Sequence, residues 1–279
     1  MLEIIRRQEV YTKCLDAIKV GSQPNTLGLL RSARLPVLAA LSKDLNVPIL
    51  LLTDRADRAA VMYDELNFWL PDIPRLYFPE PTPMFYEKAA WGSLTRRDRL
   101  SALSMLVQYF KPANKKPDQP CVVVAPLRAV MTKTVPRRDF ITSSKTIQLG
   151  TMVNPETLQR QWTRLGYENV DVVVDHGQFS RRGGIMDIWT PAEAFPARLE
   201  FFGDEIDTLR NFDPATQRTV QSLEQVELSP AREFILPEVE TDPMADQEQD
   251  EFFIPVLHPN ASTILDYLPS NSLILVDSL

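Results

Sequence analysis

Ala197-Arg198-Leu199-Glu200-Phe201-Phe202-Gly203-Asp204-Glu205-Ile206-Asp207-Thr208-Leu209-Arg210-Asn211 reads as two antiparallel strands joined at a Gly-X turn. Strand-forming residues flank Gly203-Asp204, and glycine accepts the positive φ that a tight hairpin turn demands. That register sets Phe201 opposite Ile206. Upstream, a strand region from Phe179 to Trp189 follows the turn Asp175-His176-Gly177-Gln178, and Val170–Val174 is expected as a further strand. A helix precedes them. Asn154 is its cap and Pro155 its first residue, Leu158, Trp162 and Leu165 share a face, and Gly166 ends it. Residues 136–213 therefore read as a small α+β unit built on antiparallel strands.

The pattern before that unit is different. Leu27–Leu30 is a strand candidate, Arg34–Leu45 reads as a helix, and Ile49–Leu52 is a short buried strand. Thr53-Asp54 offers a helix cap, after which Ala59, Met62, Leu66 and Trp69 recur at helical spacing. Another helix runs through Leu100, Leu103, Leu106, Val107 and Phe110, and Cys121–Val124 is a second buried strand. Strands alternating with helices point to a parallel α/β sheet covered on both faces. After Asp213-Pro214 come a strand candidate at Gln225–Leu228, an acidic stretch and a last apolar run at Leu273–Val276. The chain reads as a piece of something longer.

Composition narrows the function classes. The formal charge is −7 over 279 residues, with a pI near 5.1, which disfavours a domain devoted to sequence-independent grip on phosphates. The charge is uneven: Gly92–Arg138 holds ten Lys/Arg against two Asp, and Glu224–Glu251 ten Asp/Glu against one Arg. The first patch suits a solvated helix face and loop, or contact with DNA; the second suits a loop. Cys14 and Cys121 stand apart with no CxxC pair, as buried thiols of a reducing cytoplasm would. No apolar run approaches the ~20 residues of a membrane span. No metal site is expected from His176 and His258, which lie in no ligand spacing.

Leu27-Gly28-Leu29-Leu30-Arg31-Ser32-Ala33-Arg34-Leu35 falls where a phosphate loop would sit, between a candidate strand and a helix. With Gly28 as the first glycine of GxxxxGK[ST], Ala33 replaces the second glycine, Arg34 the lysine and Leu35 the magnesium-binding hydroxyl. Leucine cannot ligate magnesium, and Ala33 adds a Cβ where backbone should wrap phosphate. No nucleotide hydrolysis and no cofactor are expected from these residues; an ordinary strand-to-helix turn explains the window equally well. Asp204-Glu205-Ile206-Asp207 has the composition of an acidic helicase box, but it belongs to a hairpin.

Arg181-Arg182-Gly183-Gly184-Ile185-Met186-Asp187-Ile188-Trp189, then Pro196 to Phe202, Gly203-Asp204-Glu205-Ile206, Phe212-Asp213-Pro214 and Thr216-Gln217-Arg218, resemble the UvrB/Mfd family in order and spacing. Tyr77-Phe78-Pro79-Glu80, Met84-Phe85-Tyr86-Glu87, Arg97-Asp98-Arg99-Leu100 and Val122–Val130 resemble its helicase-like lobe, and Thr263–Asn271 its returning segment. Trp189-Thr190-Pro191 departs from the pattern, in which the aromatic directly precedes proline. The resemblance implies an α/β fold: a degenerate helicase-like, RecA-like parallel-sheet lobe (1–135), an inserted α+β UvrA-binding domain (136–213), and a return segment (214–279) completing the lobe.

Two departures point to the coupling-factor branch rather than to UvrB itself. The phosphate loop is degenerate, and the five residues Pro79–Pro83 leave no room for a DNA-gripping hairpin. That branch implies a non-catalytic docking scaffold for UvrA in transcription-coupled nucleotide-excision repair, with RNA polymerase and double-stranded DNA as partners of the longer protein. The alternative is an ATP-dependent, damage-binding enzyme of UvrB type. The family's UvrA contact maps onto Arg182, with Arg181 and Phe179 beside it, and onto Tyr167, Glu168 and Asn169. Glu168, Asn169 and Ser180 stand where UvrB tends to carry arginine, so the contact is expected to be arranged differently.

Overall fold

The computed structural model describes residues 2–22, 26–83, 86–87, 89–112, 117–235 and 250–277. Most of the acidic stretch (236–249), part of the polar loop (113–116), and Met84 and Phe85 lie outside them. In chain order the elements are α1 (Leu2–Arg6), α2 (Glu9–Lys19), α3 (Arg31–Leu45), β1 (Ile49–Thr53), α4 (Ala56–Trp69), β2 (Arg75–Tyr77), α5 (Ser93–Gln108), β3 (Val122–Pro126), α6 (Leu127–Met131), α7 (Arg137–Ser143), β4 (Lys145–Gln148), α8 (Pro155–Arg164), β5 (Glu168–Asn169), β6 (Gln178–Arg182), β7 (Ile185–Ile188), β8 (Ala197–Phe202), β9 (Glu205–Phe212), β10 (Thr219–Ser222), β11 (Gln225–Leu228), α9 (Ile254–Leu257) and β12 (Leu273–Asp277). They form two compact units: Met1–Glu80 with Gln108–Val130 and Leu268–Leu279, and Pro81–Val107 with Met131–Tyr267.

The first unit is built on an all-parallel sheet in the order β12-β1-β3-β2. Every residue of β1 and β3 is buried, which is why both read as unbroken apolar runs. Leu35, Leu38, Met62, Leu66 and Leu70 from α3, α4 and the residue after α4 pack with Ile49, Leu51, Val122 and Val124 in one core. Two local expectations change. Leu27–Leu30 is no strand, because Gly28 at φ +59° breaks the extended run, and α3 starts at Arg31. The cap of α4 is Arg55; the Thr53 hydroxyl donates instead to the Arg55 carbonyl at 2.9 Å.

The second unit carries a six-stranded sheet in the order β10-β9-β8-β7-β6-β5, antiparallel except between β5 and β6. Gly203-Asp204 turns β8 into β9 with Phe201 opposite Ile206, and a register shift at Glu200/Phe201 leaves Asp207 as the extra residue of a bulge. Asn154 caps α8 by accepting from the Glu156 and Thr157 amides at 2.9 and 3.3 Å. Leu158 and Trp162 of α8 pack with Phe179, Met186, Ile188, Leu199 and Leu209 of the sheet, each large side chain worth about 1.5–3 kcal/mol of burial. Only β5 (Glu168–Asn169) forms here, and the strand expected at Val170–Val174 is an irregular stretch instead. Its cause is Gln178, whose Oε1 accepts the Val174 and Asp175 amides at 3.0 and 2.9 Å and turns the chain out of the sheet. β11 pairs with β4 in a separate ribbon.

Candidate functional site

The site residues on the second unit converge on one sheet edge. β5 is the last strand, so Glu168 and Asn169 lie exposed at the margin. Beside it, β6 runs from Gln178 to Arg182 and turns through Gly183-Gly184 into β7. Gly183 takes φ +62°, and a Cβ on Gly184 would come within 3.3 Å of the Phe201 carbonyl oxygen. Both glycines therefore shape the turn that presents Arg182.

The period of two along a strand separates the two arginines. Arg181 shares a face with Met186 and reaches toward Glu156 of α8, 4.0 Å away. Arg182 lies on the opposite face, where its Nη2 donates to Asp187 at 3.0 Å. Asp187 is buried, and its main partner is Arg198, which donates Nε to Oδ1 at 2.7 Å and Nη2 to Oδ2 at 2.8 Å. Arg198 also donates to Gln217 at 2.8 Å and lies 4.2 Å over the Phe212 ring. A buried carboxylate in an apolar strand is thus satisfied by two arginines. Half of the Arg182 side chain stays exposed.

The aromatic residues are placed differently from the exposed contacts envisaged in the sequence. Phe179 is fully buried, edge-to-face with Trp162 at 5.5 Å. Tyr167 is buried too, its hydroxyl donating to the Ser229 carbonyl at 2.7 Å, and burial holds that hydroxyl well above its usual pKa. Neither ring offers area to a partner in this structure, because both are buried in the core under the sheet; they hold β5 and β6 in place. Arg198 and Gln217 are the members that sequence reasoning missed. The alternation of Ala197-Arg198-Leu199 does place Arg198 opposite Asp187, so the signal was present.

On the first unit, Gly28 precedes α3, while Ala33, Arg34 and Leu35 fall within its first turns. Arg34 Nη1 donates to Asp277, and Arg58 Nε donates to the other oxygen of the same buried carboxylate. Among the described residues no group of three His, Cys, Asp or Glu could hold a metal ion, and no helix is long and apolar enough to cross a membrane. Cys121 is buried with its thiol pushed up to about 11, whereas Cys14 is only partly buried.

Residues 146–234 match the UvrB interaction domain. Over 245 residues the chain is 33% identical to the transcription-repair-coupling factor of Myxococcus xanthus, covering 85% of this chain and 19% of that protein. The coupling factor of Bacillus subtilis is 30% identical over 83% of this chain and 19% of its own length. That of Escherichia coli is 26% identical over 78% and 18%. The chain thus spans about a fifth of the length of these relatives.

Proposed function

The chain belongs to the UvrB/Mfd family, and from that membership we propose that it is the docking module of a transcription-repair coupling factor. In this reading it is a non-catalytic scaffold that recruits UvrA to transcription-coupled nucleotide-excision repair in the cytoplasm. The observation that carries the reading is that the match at 146–234 falls on the six-stranded sheet whose β5–β6 edge presents Arg182.

Arg182 is suited to the task. One of its five donors is held by Asp187, which fixes the side chain, while the exposed remainder of the planar fork can meet a partner carboxylate. Arg181 adjoins it, Glu168 and Asn169 lie exposed on β5 beside the Gln178 end of the same strand, and Phe179 and Tyr167 support the edge from inside. Because Arg198 alone satisfies Asp187, Arg182→Ala should leave the fold intact. The expected outcome is a loss of about 2–4 kcal/mol in UvrA affinity by calorimetry, the range of an interface anchor, with an unchanged melting temperature. Wild-type affinity in that variant would remove Arg182 from the contact.

The engagement of Arg34 by Asp277 supports a phosphate-loop position without nucleotide chemistry or cofactor. DNA-stimulated ATP hydrolysis by these residues would overturn that part of the reading in favour of a UvrB-type enzyme. RNA polymerase and double-stranded DNA are proposed as partners of the whole protein, engaged by parts of it outside the matched stretch.

A further inference from the structure

At the other end of β6 from Arg182, the second unit holds a cleft of about 150 Å³. Arg96 and Arg97 of α5, Glu168 of β5, Asp175 and Arg232 line it. Most of these charges are already occupied. Arg97 donates to Asp98 at 3.0 and 2.7 Å, Arg232 donates to buried Glu251 at 3.1 Å, and Asp175 accepts the His176 amide at 2.8 Å. Among the three arginines Arg96 is the exception. Its guanidinium is partly buried and makes no hydrogen bond or ion pair among the described residues. Burial first, and Arg232 next, work against its charge, while Glu251, Glu168 and Asp175 offset them only from a distance.

A half-desolvated guanidinium without acceptors costs free energy that an incoming acceptor would recover. A carboxylate fits best, since the planar fork takes its two oxygens side by side. The volume of the cleft is modest, about 150 Å³. That is below the ~300–1,000 Å³ of pockets for drug-sized ligands, so a side chain enters and a nucleotide does not. Glu168 and Asp175 on the rim disfavour a multiply charged anion such as phosphate. We propose that the cleft is a carboxylate socket, in which an acidic side chain of the protein docked on the β5–β6 edge pairs with Arg96. The proposal rests on the docking reading above: Gln178 and Arg182 mark the two ends of one strand, roughly 13 Å apart at ~3.3 Å per residue, so one partner can reach both.

Two measurements on the intact protein test it. In the first, Arg96→Ala and Arg96→Lys should each weaken UvrA binding about tenfold or more, because lysine keeps the charge but not the fork. The melting temperature of Arg96→Ala should hold or rise, since an unpaired, partly buried charge has gone, and that of Arg96→Lys should hold; a residue that only braced the fold would lower both. In the second, the Nε–H resonance of Arg96 should shift saturably with glutarate and much less with inorganic phosphate. Wild-type UvrA affinity in Arg96→Ala overturns the socket while leaving the docking edge standing. Failure of the wild-type chain to bind UvrA defeats the docking reading instead. The titration then decides the socket: a resonance unmoved by glutarate, or moved more by phosphate, overturns it, and a saturable glutarate shift retains it for another acidic partner.

Discussion

Asp187 and its two arginines separate structure from recognition at the level of single side chains. Asp187 and Arg198 are both largely shielded from water, while Arg182 is half exposed. Removing a buried partner strands the charge left behind, at about 3–5 kcal/mol, whereas an exposed pair contributes about 1 kcal/mol or less. Asp187→Asn should therefore lower unfolding free energy in urea by about 3 kcal/mol or more. Arg182→Ala should change it by about 1 kcal/mol or less. Comparable losses in both variants would mean that Arg182 is part of the fold's own ion pair rather than a group held out for a partner.

Among the elements, what the sequence revealed follows from how local each cause is. β1 and β3 are legible because a strand buried on both faces must be apolar throughout, and the β8–β9 register is legible because Gly203-Asp204 fixes it within two residues. Val170–Val174 misleads because its fate depends on the Gln178 side chain further along the chain, and the β4–β11 pairing leaves no local trace. At the site, the sequence locates Arg182 but not the burial of Phe179 and Tyr167, which depends on α8 and on Ser229. Arg96 was visible only as one charge in a basic patch. Gly166, after α8, gives a test of how tightly these pieces fit. It takes φ +83°, and a Cβ there would meet Arg232 Cγ at 2.3 Å, whereas Gly203 at φ +64° faces open space. Gly203→Ala should cost the backbone strain alone, about 1 kcal/mol. Gly166→Ala should cost distinctly more, because Arg232 must move and Glu251 loses its donor. Equal losses in urea unfolding would show that Arg232 yields freely.

Across the whole molecule, the chain builds its parallel sheet from distant stretches. β12 pairs with β1 from Ile49↔Leu273 to Thr53↔Asp277, so more than two hundred residues intervene, and the whole second unit is strung between the two strands. Closing so long a loop costs entropy that local contacts cannot return. The pairing must be secured where it forms. Asp277 supplies that security, since its buried carboxylate accepts from Arg34 of α3 and Arg58 of α4 at the end of β12. Asp277→Asn would leave two guanidinium groups facing one another around a neutral amide. Amide exchange in β1 and β12 should then accelerate by at least tenfold, about 1.4 kcal/mol of lost protection. Exchange in β6 to β9 should stay unchanged, because Leu158, Trp162 and Phe179 belong to a separate core. Uniform acceleration in both sheets would show instead that the two units open together, and that the carboxylate at 277 supports more than the strand it ends.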